Sequence, residues 1–520
     1  MAFQVSPGVN VSEIDLTTVV PATSTTEGAI AGAFKWGPVD ERILVGSEVE
    51  LVNRFGKPAV GFNEETFFAA ADFLAYSDAL YVVRVSDGDT ATAVDPVDAN
   101  TVNTGITAKY PGALGNDLQI EVISTLSTST YGDVFDADPA SGEFHIAVVD
   151  ATGAFSGTAN TVVERWEGVS TTSGSTGAYG QNNYIVDVLE LGSSYVTITS
   201  TAASTLSANL WSLEGGDDGS AEGALSVVDG YELFRQPEEI DISLIIAGKT
   251  TVAVADKLIS IAEERRDCVV FLSPEREDVI VGNKPIAAID TIRTNVEAFY
   301  ASIAQASTYA VADTGYKYRY DRYNDRYTYT PLNGDIAGLC ARTDDVRDPW
   351  FSPAGYSRGQ IKNIIKLAYN PSKTHRDSLY KKGINPVVTQ PGQGTVLFGD
   401  KTFTTTPSAF DRINVRRLFI VLEKSIARAS KSTLFEFNDG FTRAQFRNLV
   451  EPFLRDVQGR RGIYDFRVVC DETNNTPEVV DQNRFVGDIY IKPARSINFI
   501  QLNFVAVRTG VEFKEIIGQQ

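Results

Sequence analysis

Cysteine is nearly absent: Cys268, Cys340 and Cys470 are scattered along 520 residues. An odd, dispersed set builds no disulfide scaffold and no CxxC metal motif. Two histidines, His145 and His375, leave little for imidazole catalysis or zinc. No run approaches the roughly 18–20 unbroken apolar residues of a spanning helix, so direct membrane insertion is not expected. The opening residues, Met1 to Pro7, have neither a basic segment nor an apolar core, so no secretory signal is expected. Basic residues are scarce in the first half. Residues 1–240 hold 8 Lys and Arg against 34 Asp and Glu, whereas 241–520 hold 38 against 33, within a net charge of −21. An acidic half repels nucleic acid and anionic membranes, or is simply a solvated surface; a mildly basic half suits an acidic partner.

What is present is ordinary globular material, 43% hydrophobic and 22% charged. At about 150 residues per domain the length predicts three or four domains. The first twenty residues read as an extended arm, with Phe3, Val5, Val9 and Val11 alternating around a Pro7-Gly8 break. Residues 27–95 mix short apolar strands with one helix, Glu64 to Tyr76. Residues 98–232 turn rich in Ser, Thr, Gly and Asp, with β-like runs at Ile120–Ile123, Tyr184–Val188 and Tyr195–Ile198; this predicts a separate β-rich insertion. A βαβ unit follows: strand Ile242–Ala247, helix Val252–Arg266, strand Cys268–Leu272, then a helix over 286–306. Two helices mark the last third. Arg412–Lys431 carries Leu418, Leu422, Ser425 and Ala429 on one side and Arg417, Lys424, Arg428 and Lys431, at helical spacing, on the other. Thr442 is expected to cap the next helix, whose apolar face is Phe446, Leu449, Phe453 and Val457, with Pro452 inside it. Ile500, Leu502, Phe504 and Ala506 alternate, and Val511 and Phe513 lie in a short terminal strand.

The chemical motifs are weak. Gly248-Lys249-Thr250 sits between strand and helix, but a phosphate loop needs its first glycine where Ser243 stands. His145 and His375 read as surface residues without a neighbouring nucleophile motif. Asp136, Asp138, Ser141 and Glu143 resemble a calcium loop, with Ser141 where that loop requires glycine. Residues 316–329 interleave six tyrosines with Lys317, Arg319, Arg322 and Arg326. Stacked bases are one use for such a segment; protein packing or an interface is the other, and Asp321 and Asp325 favour it. No catalytic residue, cofactor or metal site is expected, and no enzyme.

Ordered motifs do carry a family likeness. Pro331-Leu332-Asn333-Gly334-Asp335-Ile336-Ala337-Gly338-Leu339-Cys340-Ala341-Arg342-Thr343-Asp344, leading to Trp350-Phe351-Ser352-Pro353-Ala354-Gly355, resembles a segment of the tail sheath proteins of contractile-tail phages. Gly383–Pro386, Asn414–Phe419 with Glu423–Ile426, Phe435–Asp439 with Phe437 in place of proline, and Cys470–Thr476 are similar to further elements of that family. Ser6–Val9 with Glu13-Ile14 resembles its amino end, Asn10 standing where tyrosine is common. The likeness covers both ends and about 330–510.

The resemblance implies an α+β, multidomain chain: a tube-proximal α/β domain built from both termini, a middle α/β domain and a β-rich outer insertion. The expected bounds are an arm at 1–20, a middle domain at 21–97 and 233–365, the insertion at 98–232, a tube-proximal core at 366–508 and an arm at 509–520. It further implies hexameric rings stacked helically around a tail tube, with baseplate and tail terminator or neck proteins as partners, in a virion tail assembled in the host cytoplasm. Neighbours would be linked by arms carrying Phe3, Val5, Val9, Val11, Val511 and Phe513, each adding a strand to another copy's sheet. Arg417, Lys424, Arg428 and Lys431 would face the tube, whose surface is commonly acidic in this family. A bacteriocin or secretion-type sheath, a surface-layer protein and a hydrolase with a β insertion are the alternatives.

Overall fold

A computed structural model of the chain describes residues 25–94, 102–177, 179–204, 206–222, 224–498 and 501. Phe3, Val5, Val9, Val11, Val511 and Phe513 lie outside the described residues, as do Ile500, Leu502, Phe504 and Ala506.

Short apolar runs build the centre. The strands are β1 (Gly28–Ala33), β2 (Arg42–Val45), β3 (Leu80–Val85), β4 (Leu244–Ile246), β5 (Val269–Leu272) and β6 (Ala310–Asp313). A hairpin of β7 (Tyr316–Asp321) and β8 (Arg326–Pro331) precedes β9 (Ile384–Asn385). One sheet runs in the order β9-β6-β5-β4-β1-β3-β2, parallel except for the edge strand β2. Parallel neighbours need crossovers, supplied here chiefly by α1 (Glu64–Leu74), α2 (Val252–Arg265), α3 (Ile289–Ser302) and α4 (Asn333–Val346). Successive side chains point to opposite faces. Ala29, Ile245, Val270 and Ala312 share a core with Leu258 and Val296 of α2 and α3. Ile30, Ile246, Phe271 and Val311 share another with Phe67 and Ile336 of α1 and α4. Both faces are covered, so these strands read as apolar runs rather than amphipathic ones.

Glycine sets the distance between α1 and α4. A Cβ on Gly334 would stand 2.1 Å from the Ala69 carbonyl oxygen, and one on Gly338 2.4 Å from the Tyr76 ring. These are glycines of the family-like segment, and each is there because backbone or ring occupies the space a side chain needs.

The insertion is a seven-stranded antiparallel sheet ordered 161–170, 143–150, 118–123, 209–214, 92–94, 102–108, 196–198. It spans 92–214 rather than 98–232. Val227, Tyr231 and Phe234 already belong to the middle core, and the Tyr231 hydroxyl donates to the Ile246 carbonyl at 2.8 Å. Tyr184–Val188, expected as a strand, opens the helix Ile185–Gly192 instead. Ile185 and Leu189, four apart, are buried on one face, so helical spacing outweighs the β-branched run. Entry and exit touch: Asp87 accepts the Ser220 N–H at 2.7 Å and its hydroxyl at 2.8 Å, and a Cβ on Gly88 would lie 2.1 Å from the Asp217 carbonyl oxygen.

Arg84 anchors the junction from within β3. It is fully buried and donates to the carbonyls of Phe34 (2.8 Å), Gly37 (2.7 Å) and Pro111 (2.6 Å), joining the middle sheet to the base of the insertion. Burial lowers its pKa to about 10, against the pull of Asp218.

The boundary expected at 365–366 falls inside the middle unit. β9 pairs with β6, and Val387 and Leu397 enter the α1/α4 core. The C-terminal unit begins near α5 (Ile413–Ser430), followed by α6 (Gly440–Gly459) and the hairpin of β10 (Ile463–Val469) and β11 (Asp488–Pro493). Leu418, Leu422, Phe446, Val450, Leu454 and Trp350 form its core. Asp439, not Thr442, caps α6, accepting the Thr442 N–H at 2.8 Å; a carboxylate on the orphan amides outcompetes the hydroxyl.

Two outcomes follow. Arg84→Met strands three carbonyls in the junction and lowers the stability of the purified subunit by about 3–5 kcal/mol, read from chemical denaturation; an unshifted midpoint would contradict the anchoring role. Glu222, in the loop returning from the insertion, is buried beside Thr66, and burial raises its pKa from 4.5 to about 8. Between those values the folded chain keeps a proton that the unfolded chain releases, so stability falls as pH rises and levels off above about 8. Glu222→Gln removes that titration, and its melting temperature should gain on the parent from pH 5 to pH 9; a constant difference would remove Glu222 as the source.

Candidate assembly surface

α5 is the element on which the sequence placed a basic stripe. Its helical spacing holds, with Leu418, Leu422 and Ser425 buried along the opposite side. The stripe does not lie free on the surface. Arg417 is buried and turns inward, its guanidinium forked on Asp344: Nη1 donates to Oδ1 at 2.7 Å and Nη2 to Oδ2. Nη1 also reaches the Cys340 carbonyl at 3.2 Å, and the Thr25 hydroxyl donates to Asp344 Oδ2 at 2.5 Å. Arg417 is therefore not a tube-facing residue of this subunit. The cause is Asp344, 73 positions upstream on α4, whose carboxylate the helix meets as it crosses the middle unit. Lys424 is paired with Asp241 and is 10% exposed; Arg428, 44% exposed, donates to the other oxygen of Asp241 at 2.7 Å. Lys431, one residue beyond the helix, is exposed.

The tyrosine-rich segment sorts its residues by strand alternation. Lys317, Arg319 and Asp321 are buried on one face of β7; on the other, Tyr316 enters the middle core, Tyr318 packs half-buried against it and Tyr320 is exposed. Lys317 Nζ lies 3.0 Å from Asp72 and 2.8 Å from Asp335, all three side chains fully buried; Arg319 donates to Asp72 at 2.5 Å. These cations are internal ties between the hairpin, α1 and α4. A stacked Tyr318–Tyr327 pair lies on the other face.

The remaining candidates are structural. The Gly248 carbonyl accepts from Asn333 at 2.8 Å and the Lys249 N–H donates to Thr66, so that turn is filled by protein. His145 is buried rather than on the surface: the Gly168 N–H donates to Nδ1 at 3.0 Å, which leaves Nε2 to donate to the Ala137 carbonyl at 2.9 Å. His375 pairs with Asp290 at 3.0 Å. Among the described residues no group of three or more His, Cys, Asp or Glu is close enough to hold a metal ion, and no helix is long and apolar enough to cross a membrane.

What sequence reading missed is an apolar surface beside α5. A groove of about 1110 Å³ lies between α5, α6 and β11, lined by Phe419, Ile426, Phe446, Phe485, Ile489 and Ile491. Leu434, Phe435 and Phe437 stand exposed along it. Beside it, β10 and β11 pair only with each other among the described residues. The signal was the Phe435-Glu436-Phe437 cluster in an otherwise polar connector.

Three family models match in chain order. They are the N-terminal region of domain III of the tail sheath protein Gp18 over 28–85, the phage tail sheath central domain over 235–403 and the phage tail sheath C-terminal domain over 405–506. The chain is 34% identical to the tail sheath protein of Vibrio phage KVP40, with 99% of each chain covered. It belongs to the phage tail sheath family. The tail sheath protein of Enterobacteria phage T4 is also 34% identical, again over 99% of both. The sheath of the PVC extracellular contractile injection system, solved in its contracted state, shares the fold at 14% identity and a TM-score of 0.54, covering 97% of this chain and 98% of the other. A sheath tail protein from Desulfitobacterium hafniense does so at 12% identity and 0.57, covering 94% and 100%. The gap between the first two models contains the whole insertion sheet. The break at 403–405 is where the middle unit gives way to α5.

Breaking the buried pair tests the seam of this sheath subunit. Asp344→Ala leaves Arg417 buried and unpaired and costs about 3–5 kcal/mol. Adding Arg417→Met should recover much of that loss, because the guanidinium no longer lacks a partner. Additive losses in the double-mutant cycle would show that the two act separately.

Proposed function

We propose that the chain is the sheath subunit of a contractile phage tail, polymerising as stacked hexameric rings around the tail tube. The observation that carries this reading is an incomplete surface in a chain of the tail sheath family. A two-stranded sheet is marginal alone, and here its neighbour is an apolar groove rimmed by exposed phenylalanines. Neighbouring subunits supply what is missing through their arms, with Phe3, Val5, Val9 and Val11 at one end and Val511 and Phe513 at the other. Added strands bond along their backbones and set alternate side chains into the groove. Such links survive rigid-body movement of the copies they join.

The extended sheath is a trapped state of higher free energy. A baseplate signal releases one ring, and each ring releases the next through shared strands. Burying a few hundred Å² more apolar surface per subunit, at about 25 cal/mol/Å², yields several kcal/mol before opposing costs. Summed over a tail, this drives the tube through the host envelope without nucleotide. The subunit assembles in the host cytoplasm and meets baseplate and neck proteins at the tail's two ends. Of the basic stripe, Arg428 and Lys431 are exposed and meet the tube; weak contacts suit a surface that must let go everywhere at once. Identity to phage proteins over the full length favours a virion tail over a bacteriocin or secretion machine.

A chain lacking residues 1–20 should keep the parent's melting transition yet form none of the hollow striated cylinders that the parent forms in negative-stain micrographs. Cylinders from the truncated chain would overturn linkage through that arm.

A further inference from the structure

The side of α5 that carries Arg428 meets an acid before it meets any partner. Asp241 lies in the segment leading into β4, and its two oxygens are divided between two cations of one helical face. Oδ1 takes Lys424 and Oδ2 takes Arg428 at 2.7 Å. The two cations are held differently. Lys424 is 10% exposed, and its ammonium also lies 3.4 Å from the Ile242 carbonyl and 3.4 Å from the Ser243 hydroxyl. Arg428 is 44% exposed and Asp241 36%. Beside them a cleft of about 840 Å³ separates α5 from the middle unit, with Glu239, Asp267 and Glu423 on its walls and Lys431 at its edge.

We propose that Asp241 is an internal competitor for the acidic tube: it occupies Arg428 in the free subunit and gives it up when the tube docks. This rests on the reading that Arg428 and Lys431 meet the tube. Lys424 is the positioning residue that fixes the carboxylate, and Arg428 is the exchangeable one. Docking then replaces one half-exposed ion pair by another. Such pairs are weak and screened by salt, so the exchange is nearly balanced and the tube is held loosely at every subunit. A subunit without the competitor would hold the tube more tightly and release it less readily.

The test is co-sedimentation of full-length subunit with preassembled tail tubes across a sodium chloride series. Asp241→Asn should bind about two- to five-fold more tightly per subunit, the change expected for removing one weak competing pair, and stay bound to higher salt. Asp241→Glu, which keeps the carboxylate, should bind as the parent does. In an Arg428→Gln/Lys431→Gln background the asparagine substitution should have no effect. Asp241→Ser replaces the asparagine variant if that one loses its melting transition. Parental or weaker binding by a folded Asp241→Asn, or equal tightening by Asp241→Glu, overturns the competitor. Undiminished binding by Arg428→Gln/Lys431→Gln instead overturns the tube contact itself, so the two failures are told apart.

Discussion

The forked pair of Arg417 and Asp344 is the constraint from which the arrangement of the subunit follows. It is buried, it joins α5 to α4, and it draws Thr25 into the same site. Neither charge is tolerable there without the other. The orientation of the C-terminal unit on the middle unit is therefore fixed by chemistry as well as by packing. Ile413 and Ile420 of the same helix enter the middle core while Leu418, Leu422 and Ile426 enter the C-terminal one. A helix shared between two cores transmits displacement instead of absorbing it.

A second set of buried charges does similar work within the middle unit. Lys317 sits between Asp72 and Asp335 and so ties β7 to α1 and α4 at the point where Gly334 and Gly338 bring those helices together. The family-like segment is thus a packing device: its glycines set a distance, and its Asp335 and Asp344 fix two neighbouring elements. Buried charge and close helix packing coincide in that one segment.

Periodic features were legible in the sequence, and encounters between distant residues were not. The βαβ run from Ile242 to Leu272 was readable because apolar strands and an amphipathic helix have different periods. The stripe on α5 was readable as a stripe, but spacing says only which residues share a side. That Arg417 meets Asp344 and Lys424 meets Asp241 depends on pairings 73 and 183 positions apart. Residues 316–329 looked like interleaved cations and tyrosines, and only the folded chain shows that Lys317, Arg319 and Asp321 are buried on one face of β7 while Tyr316 and Tyr329 belong to the middle core and Tyr320 and Tyr327 stay exposed. The boundary expected at 365 failed because β9 is two residues long, too short to announce itself as a strand of the central sheet.

The stem of the insertion carries a consequence for how such tails diversify. Its two legs are stitched together at Asp87 and Ser220, and they leave the sheet from β3 and return toward β4, the strands on either side of β1. Whatever hangs from that closed stem contributes nothing to the pairing of the central strands. The alignment with the KVP40 protein runs over 672 positions, against 520 residues here, so that relative carries segments this chain lacks. A closed stem of this kind lets the module it carries vary without disturbing the pairing of the sheet beneath it.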